Sequence, residues 1–236
     1  KNKNLFAGTS SLRRGAQLKR KYPELTFESV RGNLNTRFRK LDEADDYAAL
    51  ILAVAGVIRM GWKSRISQYL DDDICMYAVG QGALAVECRE GDAVTLELLS
   101  ALSHPPTVLA ATAERAFMKT LEGGCSAPVA VHTKVCENEN VVLKGGVWSL
   151  DGSEEIVGTL SVEENEDREV NSHFHEPQSK RSKLPLSTFS GIVPLQKHQE
   201  AMNKAYSLGI TLAQELLKRG ADKVLKEAKA ASGTTT

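Results

Sequence analysis

The chain has 236 residues, equal numbers of acidic and basic side chains and 42% hydrophobic residues, which is ordinary for a globular protein. No apolar run approaches the roughly 18 residues of a membrane span, and no signal-peptide pattern opens the chain, so we expect no membrane partner. The cysteines at 75, 88, 125 and 136 have no CxxC spacing, which argues against a zinc knuckle. They predict free thiols in a reducing, cytoplasmic compartment.

The first eighty residues alternate between strand and helix patterns. Strands are predicted at 5–9, at 25–30 and at 47–54, and the last is a continuous apolar run typical of a strand buried on both faces. A helix that Ser10 or Ser11 could cap follows the first strand, and a Gly-Asn turn opens a second helix after residue 31. This alternation predicts an α/β fold with a doubly wound parallel sheet.

Basic side chains are concentrated in this region, because residues 10–40 contain nine Lys or Arg and only two Glu. Arginines follow each of the three strands: Arg13, Arg14, Arg31, Arg37 and Arg59. Ligands of such sheets bind beyond the carboxyl ends of the strands, and guanidinium groups bind carboxylates or phosphates in a bidentate manner. The pattern therefore predicts a polyanion site, the alternative being solvated surface arginines. A nucleic-acid partner is not expected, since no aromatic residues are interleaved with the basic ones.

The second half of the chain predicts an α+β unit. Residues 77–87 are predicted as a strand with a Gly-Gln-Gly kink, followed by helices at 92–103 and 104–123. Three antiparallel strands are predicted at 128–135, 141–150 and 156–162, and two helices at 195–220 and 221–231. The charged segment 163–183 is typical of a disordered loop, and its His173 and His175 do not amount to a metal site.

A cysteine in "EGGCSAPVAV" lies in an unusual place, after two glycines and before an apolar strand. A structural cysteine is normally packed as a small hydrophobic residue inside a helix or strand. Gly123 and Gly124 leave Cys125 with few neighbours, so we expect its thiol to bind something.

Four segments, "GTSSLRR", "VRGNLNTR", "VGQGALAVE" and "GGCSAPVAV", in this order resemble the porphobilinogen deaminase (hydroxymethylbilane synthase) family over residues 5–220. The resemblance implies a transferase of heme and tetrapyrrole biosynthesis that joins four porphobilinogen molecules head to tail with release of ammonia. It also implies two domains resembling type II periplasmic binding proteins, a third α+β domain with a three-stranded antiparallel sheet, and a dipyrromethane cofactor bound by a thioether to Cys125. By motif match, the cofactor and substrate crevice is lined by Ser10, Ser11, Arg13, Arg14, Arg31, Arg37, Arg59, Gln81 and Gly82.

The chain departs from the family in its first domain, because most of that domain, with its Lys-Asp-Leu-Pro-Thr segment, has no counterpart here, and the charged segment after Val162 has none either. We therefore expect the second domain at 1–78, a strand and helix returning to the first domain at 79–103, and the cofactor-bearing domain at 104–236. The family's catalytic aspartate belongs to that absent segment, so no catalytic residue is predicted in this chain, and the chain alone is expected to be inactive. The alternative is an inactive fragment or an anion-binding module that keeps the crevice. The complete protein is expected to be a monomer.

Overall fold

The computed structural model describes residues 6–43, 46–122, 127–163, 189–231 and 233. Its first half alternates strands and helices: β1 (Phe6–Gly8), α1 (Leu12–Lys21), β2 (Phe27–Glu28), α2 (Leu34–Glu43), β3 (Tyr47–Leu50) and α3 (Val54–Arg59). The strands form a parallel sheet in the order β2-β1-β3. The predicted mixture of parallel strands and helices is confirmed.

Helix α1 begins where the sequence predicted, and Ser11 rather than Ser10 is its N-cap. The Ser11 hydroxyl accepts a hydrogen bond from the backbone N–H of Arg14 over 3.4 Å, which satisfies one of the free N–H groups of the first turn. The helix buries Ala16 and Leu18 and ends in three basic residues at 19–21, where positive charge interacts favourably with the helix dipole.

Strand β3 is shorter and more exposed than the apolar run from 47 to 54 predicted. Ala48 and Ala49 are both exposed, and because successive side chains point to opposite faces, neither face of the sheet is covered there. The strand lies at the edge of the sheet and the chain enters α3 at Val54, so the run is divided between a strand, a turn and a helix.

The strand predicted at 77–87 is not formed. Tyr77 alone makes a β-bridge, with Val131, and residues 83–88 have no regular structure, because no described strand lies beside them to pair with their backbone. Helix α4 (Ala93–Ser100) follows, with the Asp92 side chain as its N-cap. Five apolar side chains on these segments, which we call the exposed apolar surface, are 63–83% exposed: Leu84, Val86, Val94, Leu98 and Leu102.

The remaining elements form the predicted α+β unit. They are α5 (Pro105–Thr120), β4 (Val129–Val135), β5 (Val141–Trp148), β6 (Glu155–Ser161), α6 (Gln199–Lys218) and α7 (Ala221–Ala231). The strands form an antiparallel sheet in the order β4-β5-β6, as predicted. The charged segment 163–183 falls almost entirely outside the described residues, as do His173 and His175.

The main core lies between this sheet and helices α5 and α6. Phe117, Leu143 and Leu212 are fully buried within it. Gly209 permits the close approach of the two helices, since a Cβ at that position would lie 2.2 Å from the carbonyl oxygen of Ala113. Gly145 does the same for the sheet, where a Cβ would lie 2.5 Å from the ring of Phe117.

The two sheets are joined through α1. A small buried cluster unites Ala16 of α1, Met76, Ala130 of β4 and Trp148 of β5. At the far end of α1, the Arg20 guanidinium donates to the carbonyl oxygen of Ser153 over 2.9 Å.

Across the described residues, no helix is both long enough and apolar enough to span a bilayer.

Candidate anion-binding site

Two serines define the turn between β1 and α1. The Ser10 hydroxyl donates to the carbonyl oxygen of Val30 over 2.6 Å and lies 3.1 Å from the Ser29 hydroxyl, so it ties the end of β1 to the end of β2. Ser11 caps α1. The two serines therefore fix the turn between β1 and α1, and the next two arginines follow in the first turn of α1.

Arg13 is the most constrained of the predicted site residues, with only 8% of its surface exposed. Its guanidinium donates from Nη1 to the carbonyl oxygen of Met76 and from Nη2 to the side-chain oxygen of Gln81 over 3.2 Å. Burial lowers the pKa of Arg13, and the neighbouring charge of Arg14 lowers it further, while Cys75 opposes the change. The side chain is thus held firmly, with its positive charge only partly compensated.

Arg14 and Arg37 complete a cluster of three guanidinium groups. Arg14 donates to the carbonyl oxygen of Ile51 over 3.0 Å, beyond the end of β3. Burial lowers the pKa of Arg14 most, the Cys75 thiol opposes the change, and the positive charge of Arg37 lowers the pKa as well. We call Arg13, Arg14 and Arg37 the arginine cluster.

Arg37 is directed by the turn that precedes α2. Its Nε donates over 2.8 Å to the carbonyl oxygen of Gly32, a residue with φ of +113° that only glycine adopts readily. Asn33 accepts a hydrogen bond from the backbone N–H of Thr36 over 2.9 Å, as a side-chain cap does. The Gly-Asn turn therefore starts α2 and orients the arginine.

No carboxylate among the described residues forms an ion pair with any member of the arginine cluster. Three cations held close together without a counter-ion favour the binding of an anion, whose charge lowers their mutual repulsion. The Cys75 thiol interacts with Arg13 and Arg14, and burial raises its pKa against the opposing effect of these two arginines. At neutral pH it does not neutralise the cluster.

Arg31 and Arg59 are placed differently. Both are exposed, and within the described ranges no hydrogen bond or ion pair ties either of them to the arginine cluster. Arg59 is the last residue of α3, so the whole of that helix separates it from the end of β3. The structure therefore relates three of the five arginines to one another and leaves Arg31 and Arg59 exposed.

Gln81 and Gly82 lie in a turn between the two sheets. Gly80 and Gly82 have φ of +68° and +90°, and the Gln81 side-chain oxygen accepts from both Arg13 and the backbone N–H of Ala78. A cavity of about 510 Å³ borders this turn and reaches the start of α5. The Gln81 side chain thus contacts Arg13, and Gly82 lies next to Gln81 in the turn and lines the cavity.

The sequence interpretation missed Glu114, a buried carboxylate on α5 that lines this cavity and bonds to Gly80. A charged residue on the apolar face of an alanine-rich helix was the available signal.

Cys125 lies outside the described residues, so the structure does not place its thiol. Among the residues that are described, no group of His, Cys, Asp and Glu side chains is arranged to hold a metal ion.

Two family models match this chain. Residues 2–97 match the model described as porphobilinogen deaminase, dipyromethane cofactor binding domain, and residues 108–172 match the model of the porphobilinogen deaminase C-terminal domain. Together they cover more than half of the chain. The chain belongs to the porphobilinogen deaminase family. The arginine cluster, Gln81 and Gly82 fall in the first matched range, and Glu114 and Cys125 fall in the second.

Individual porphobilinogen deaminases are similar over much of the chain. The enzyme of Neurospora crassa is 45% identical over 224 residues, which are 93% of this chain and 56% of that protein. The enzyme of Gloeobacter violaceus is 56% identical over 146 residues, 61% of this chain and 44% of that protein. That of a Nostoc species is 51% identical over 154 residues, 65% of this chain and 47% of that protein. The chain spans about half the length of the curated relatives it matches.

Proposed function

We propose that this chain serves the porphobilinogen deaminase reaction, the head-to-tail condensation of four porphobilinogen molecules with release of ammonia. The observation that carries the proposal is the arginine cluster, three guanidinium groups without a carboxylate partner in the described part of the chain. The names of its relatives support the same reaction. The alternative of an anion-binding module explains the cluster, but the family match does not favour it.

The substrate chemistry fits this cluster. Each porphobilinogen ring carries an acetate and a propionate side chain, so every condensation adds two carboxylates to the growing product. Planar guanidinium groups bind carboxylates through paired N–H donors, and partial burial strengthens that attraction. Arg13, Arg14 and Arg37 are proposed to bind the innermost carboxylates. The exposed Arg31 and Arg59 are proposed to reach those of the outer rings.

The neutral groups of the site are proposed to bind and orient the pyrrole. Ser10 keeps an oxygen that can accept a hydrogen bond, while Ser11 holds the first turn of α1. Gln81 offers its amide N–H₂ group, because its oxygen already accepts from Arg13, and Gly82 leaves room beside it for a ring. Each condensation breaks the C–N bond of an aminomethyl group and forms a C–C bond to the next ring. We assign these residues to binding and not to proton transfer.

The residues present also fit the family's dipyrromethane, which is itself an acidic molecule and supplies the pyrrole carbon from which the product is extended. The arginine cluster is proposed to bind its carboxylates. Cys125 is proposed as the attachment point through a thioether. Cys75 is a poorer candidate, since burial raises the pKa of its thiol and thus lowers its thiolate fraction.

The proposal also assigns the residues of the chain to domains. Residues 1–78 are assigned to a domain like those of type II periplasmic binding proteins, residues 79–103 to a connection with a further domain, and residues 104–236 to the cofactor-bearing domain. The exposed apolar surface on 84–102 supports the assignment of that middle segment. A monomer in the cytoplasm is proposed, and the free thiols of Cys75, Cys88 and Cys136 agree with a reducing compartment.

Ehrlich's reagent tests the proposal, since it colours a protein that carries a pyrrole. The protein produced in cells that make porphobilinogen should give the colour after removal of free pyrroles. Supplied with a first domain of the family, the purified protein should also release one ammonia for each porphobilinogen that it consumes. A protein that binds porphobilinogen without colour and that releases no ammonia even with that domain would be an anion-binding module, and the proposed reaction would be wrong.

A further inference from the structure

The Gly80–Gly82 turn sets the position of the Gln81 side chain. The backbone N–H of Gln81 donates to the carbonyl oxygen of Ala78 over 2.8 Å. The backbone N–H of Ala83 donates to the carbonyl oxygen of Gly80 over 3.2 Å. Gln81 is otherwise exposed, and its side-chain oxygen lies 3.2 Å from Nη2 of Arg13. A shift of this turn therefore moves the carboxamide away from the guanidinium.

Glu114 holds this turn from the opposite side. The side chain is only 3% exposed, and one carboxylate oxygen accepts the backbone N–H of Gly80 over 2.7 Å. The other oxygen accepts from the Tyr77 hydroxyl over 3.1 Å and from the Thr133 hydroxyl over 2.7 Å. Three donors converge on one buried carboxylate, and hydrogen bonds to a charged acceptor are about twice as strong as neutral ones.

The contacts of Tyr77 show why the bond to Gly80 matters. Tyr77 exchanges two backbone hydrogen bonds with Val131 of β4, and its hydroxyl accepts the backbone N–H of Thr133 over 2.7 Å. The chain is thus anchored to the antiparallel sheet at residue 77. Beyond that point, within the ranges described, the bond from Gly80 to Glu114 is the one hydrogen bond that joins residues 80–88 to α5 or β4.

We propose that Glu114 is a positioning residue for the arginine cluster: by holding the Gly80 amide, it keeps the Gln81 carboxamide against Arg13 and so orients the Arg13 guanidinium toward an anionic ligand. The identity of that ligand rests on the proposed function. The other terminal nitrogen of Arg13, Nη1, donates to the carbonyl oxygen of Met76. Once the Gln81 carboxamide moves away, the guanidinium keeps one of its two hydrogen bonds and is less well ordered, and a binding group that must be ordered by its ligand binds it more weakly.

The first test needs no ligand and uses nuclear magnetic resonance spectra of the full chain. Glu114→Gln should move the signals of the Gly80 amide, the Gln81 side-chain amide and the Arg13 Nε–H. The matched control is Thr112→Val, a buried change on the same helix, because the Thr112 hydroxyl has no hydrogen-bond partner among the described residues. It should leave those three signals in place. Unchanged Gln81 and Arg13 signals in folded Glu114→Gln would overturn the proposal.

The second test measures the affinity for porphobilinogen by calorimetric titration. Glu114→Gln should bind about tenfold more weakly, as expected when a preorganised site is deprived of a charged hydrogen bond. In a Gln81→Ala background the same change should have no further effect, since Glu114 acts through Gln81. Glu114→Asp, which keeps the charge but shortens the side chain, should behave like Glu114→Gln and guards against a variant that fails to fold.

The outcomes separate the two proposals. Additive losses in the double variant would mean a general structural role for Glu114 and would overturn the positioning role. A wild-type chain that binds no porphobilinogen, yet whose Gln81 and Arg13 signals respond to Glu114→Gln, would overturn the proposed function and leave the positioning role supported.

Discussion

Arg13 donates a hydrogen bond to Gln81 over 3.2 Å, although the two residues are 68 positions apart in the chain. The bond connects the first turn of α1 with the turn that joins the two sheets. Because Arg13 also binds Met76 and is buried, its guanidinium is held by the fold before any ligand arrives. A preorganised cation of this kind loses little conformational entropy on binding an anion.

The first prediction concerns the geometry of the arginine cluster. Arg37→Lys should weaken the binding of porphobilinogen about tenfold, because the lysine keeps the charge but lacks the planar pair of donors. Its free energy of unfolding should change by no more than about 0.5 kcal/mol, since Arg37 is half-buried and outside the core. Calorimetric titration and denaturant unfolding measure the two quantities. Arg39→Lys, an exposed change on the same helix, is the control, and equal affinities for both variants would refute a binding role for Arg37.

Arg13→Lys is a different case. The lysine cannot reach both Met76 and Gln81, so we expect a decrease of about 1–3 kcal/mol in unfolding free energy together with weaker binding. A variant as stable as the wild type, with normal affinity, would show that these hydrogen bonds do not hold the guanidinium. The same two measurements apply.

A further prediction identifies the attachment cysteine. Intact mass spectrometry of the protein, produced where porphobilinogen is made, should show a dipyrromethane adduct that disappears in Cys125→Ala. Cys75→Ala, Cys88→Ala and Cys136→Ala should each retain the adduct. An adduct that survives in Cys125→Ala and vanishes in one of the other variants would assign the attachment elsewhere.

The exposed apolar surface should bind a hydrophobic fluorescent dye. Leu84, Leu98 and Leu102 are 83%, 73% and 72% exposed, and exposed apolar side chains attract such dyes. The triple change of these leucines to Ser should abolish most of the fluorescence. Leu25→Ser is the control, because Leu25 is exposed on a different part of the molecule. Fluorescence that survives the triple change would place the dye site elsewhere.

Two glycines in helices give opposite expectations for substitution by alanine. Gly209→Ala should lower the free energy of unfolding by about 3 kcal/mol or more, because the new Cβ meets the backbone of α5 at 2.2 Å. Gly15→Ala should raise it by about 0.5–1 kcal/mol, because a Cβ there meets nothing within 4 Å and alanine favours the helix. Denaturant unfolding of both variants measures the pair. A neutral Gly209→Ala would mean that α5 and α6 separate easily.

The buried carboxyl of Glu114 predicts a pH dependence of stability. Burial raises its pKa in the folded state, while hydrogen bonds from Gly80, Thr133 and Tyr77 and the charge of His132 oppose the rise. The folded state therefore binds the proton more tightly than the unfolded state, whose pKa is about 4.3. As the pH rises from that value to the raised folded-state pKa, the free energy of unfolding falls, and above that range the contribution is constant.

Glu114→Gln lacks this titration, so it should gain stability relative to the wild type as the pH rises through the same range. Urea unfolding of both proteins at a series of pH values measures the difference. A difference that is independent of pH, or that changes in the opposite direction, would contradict a raised pKa. Thr112→Val keeps the carboxyl and should follow the pH dependence of the wild type.

The elements with local signals were predictable from the sequence. The cap at Ser11, the Gly-Asn turn before α2 and the three strands of the antiparallel sheet form where capping, turn and alternation patterns indicated. Residues 77–87 did not form the predicted strand, although their composition favours one. A strand needs a neighbouring backbone to pair with, and no described strand lies beside them.

The candidate site divides in the same way. Residue type and position after a strand identified the arginines, because an anion site needs guanidinium groups at the ends of parallel strands. Only the tertiary structure showed that the charges of Arg13, Arg14 and Arg37 act on one another, while Arg31 and Arg59 are exposed. It also revealed Glu114, whose partners Gly80 and Thr133 are 34 and 19 residues away. The type of a residue determines which hydrogen bonds it can donate or accept. Burial and contact between distant segments determine which partner it has and how far its pKa shifts.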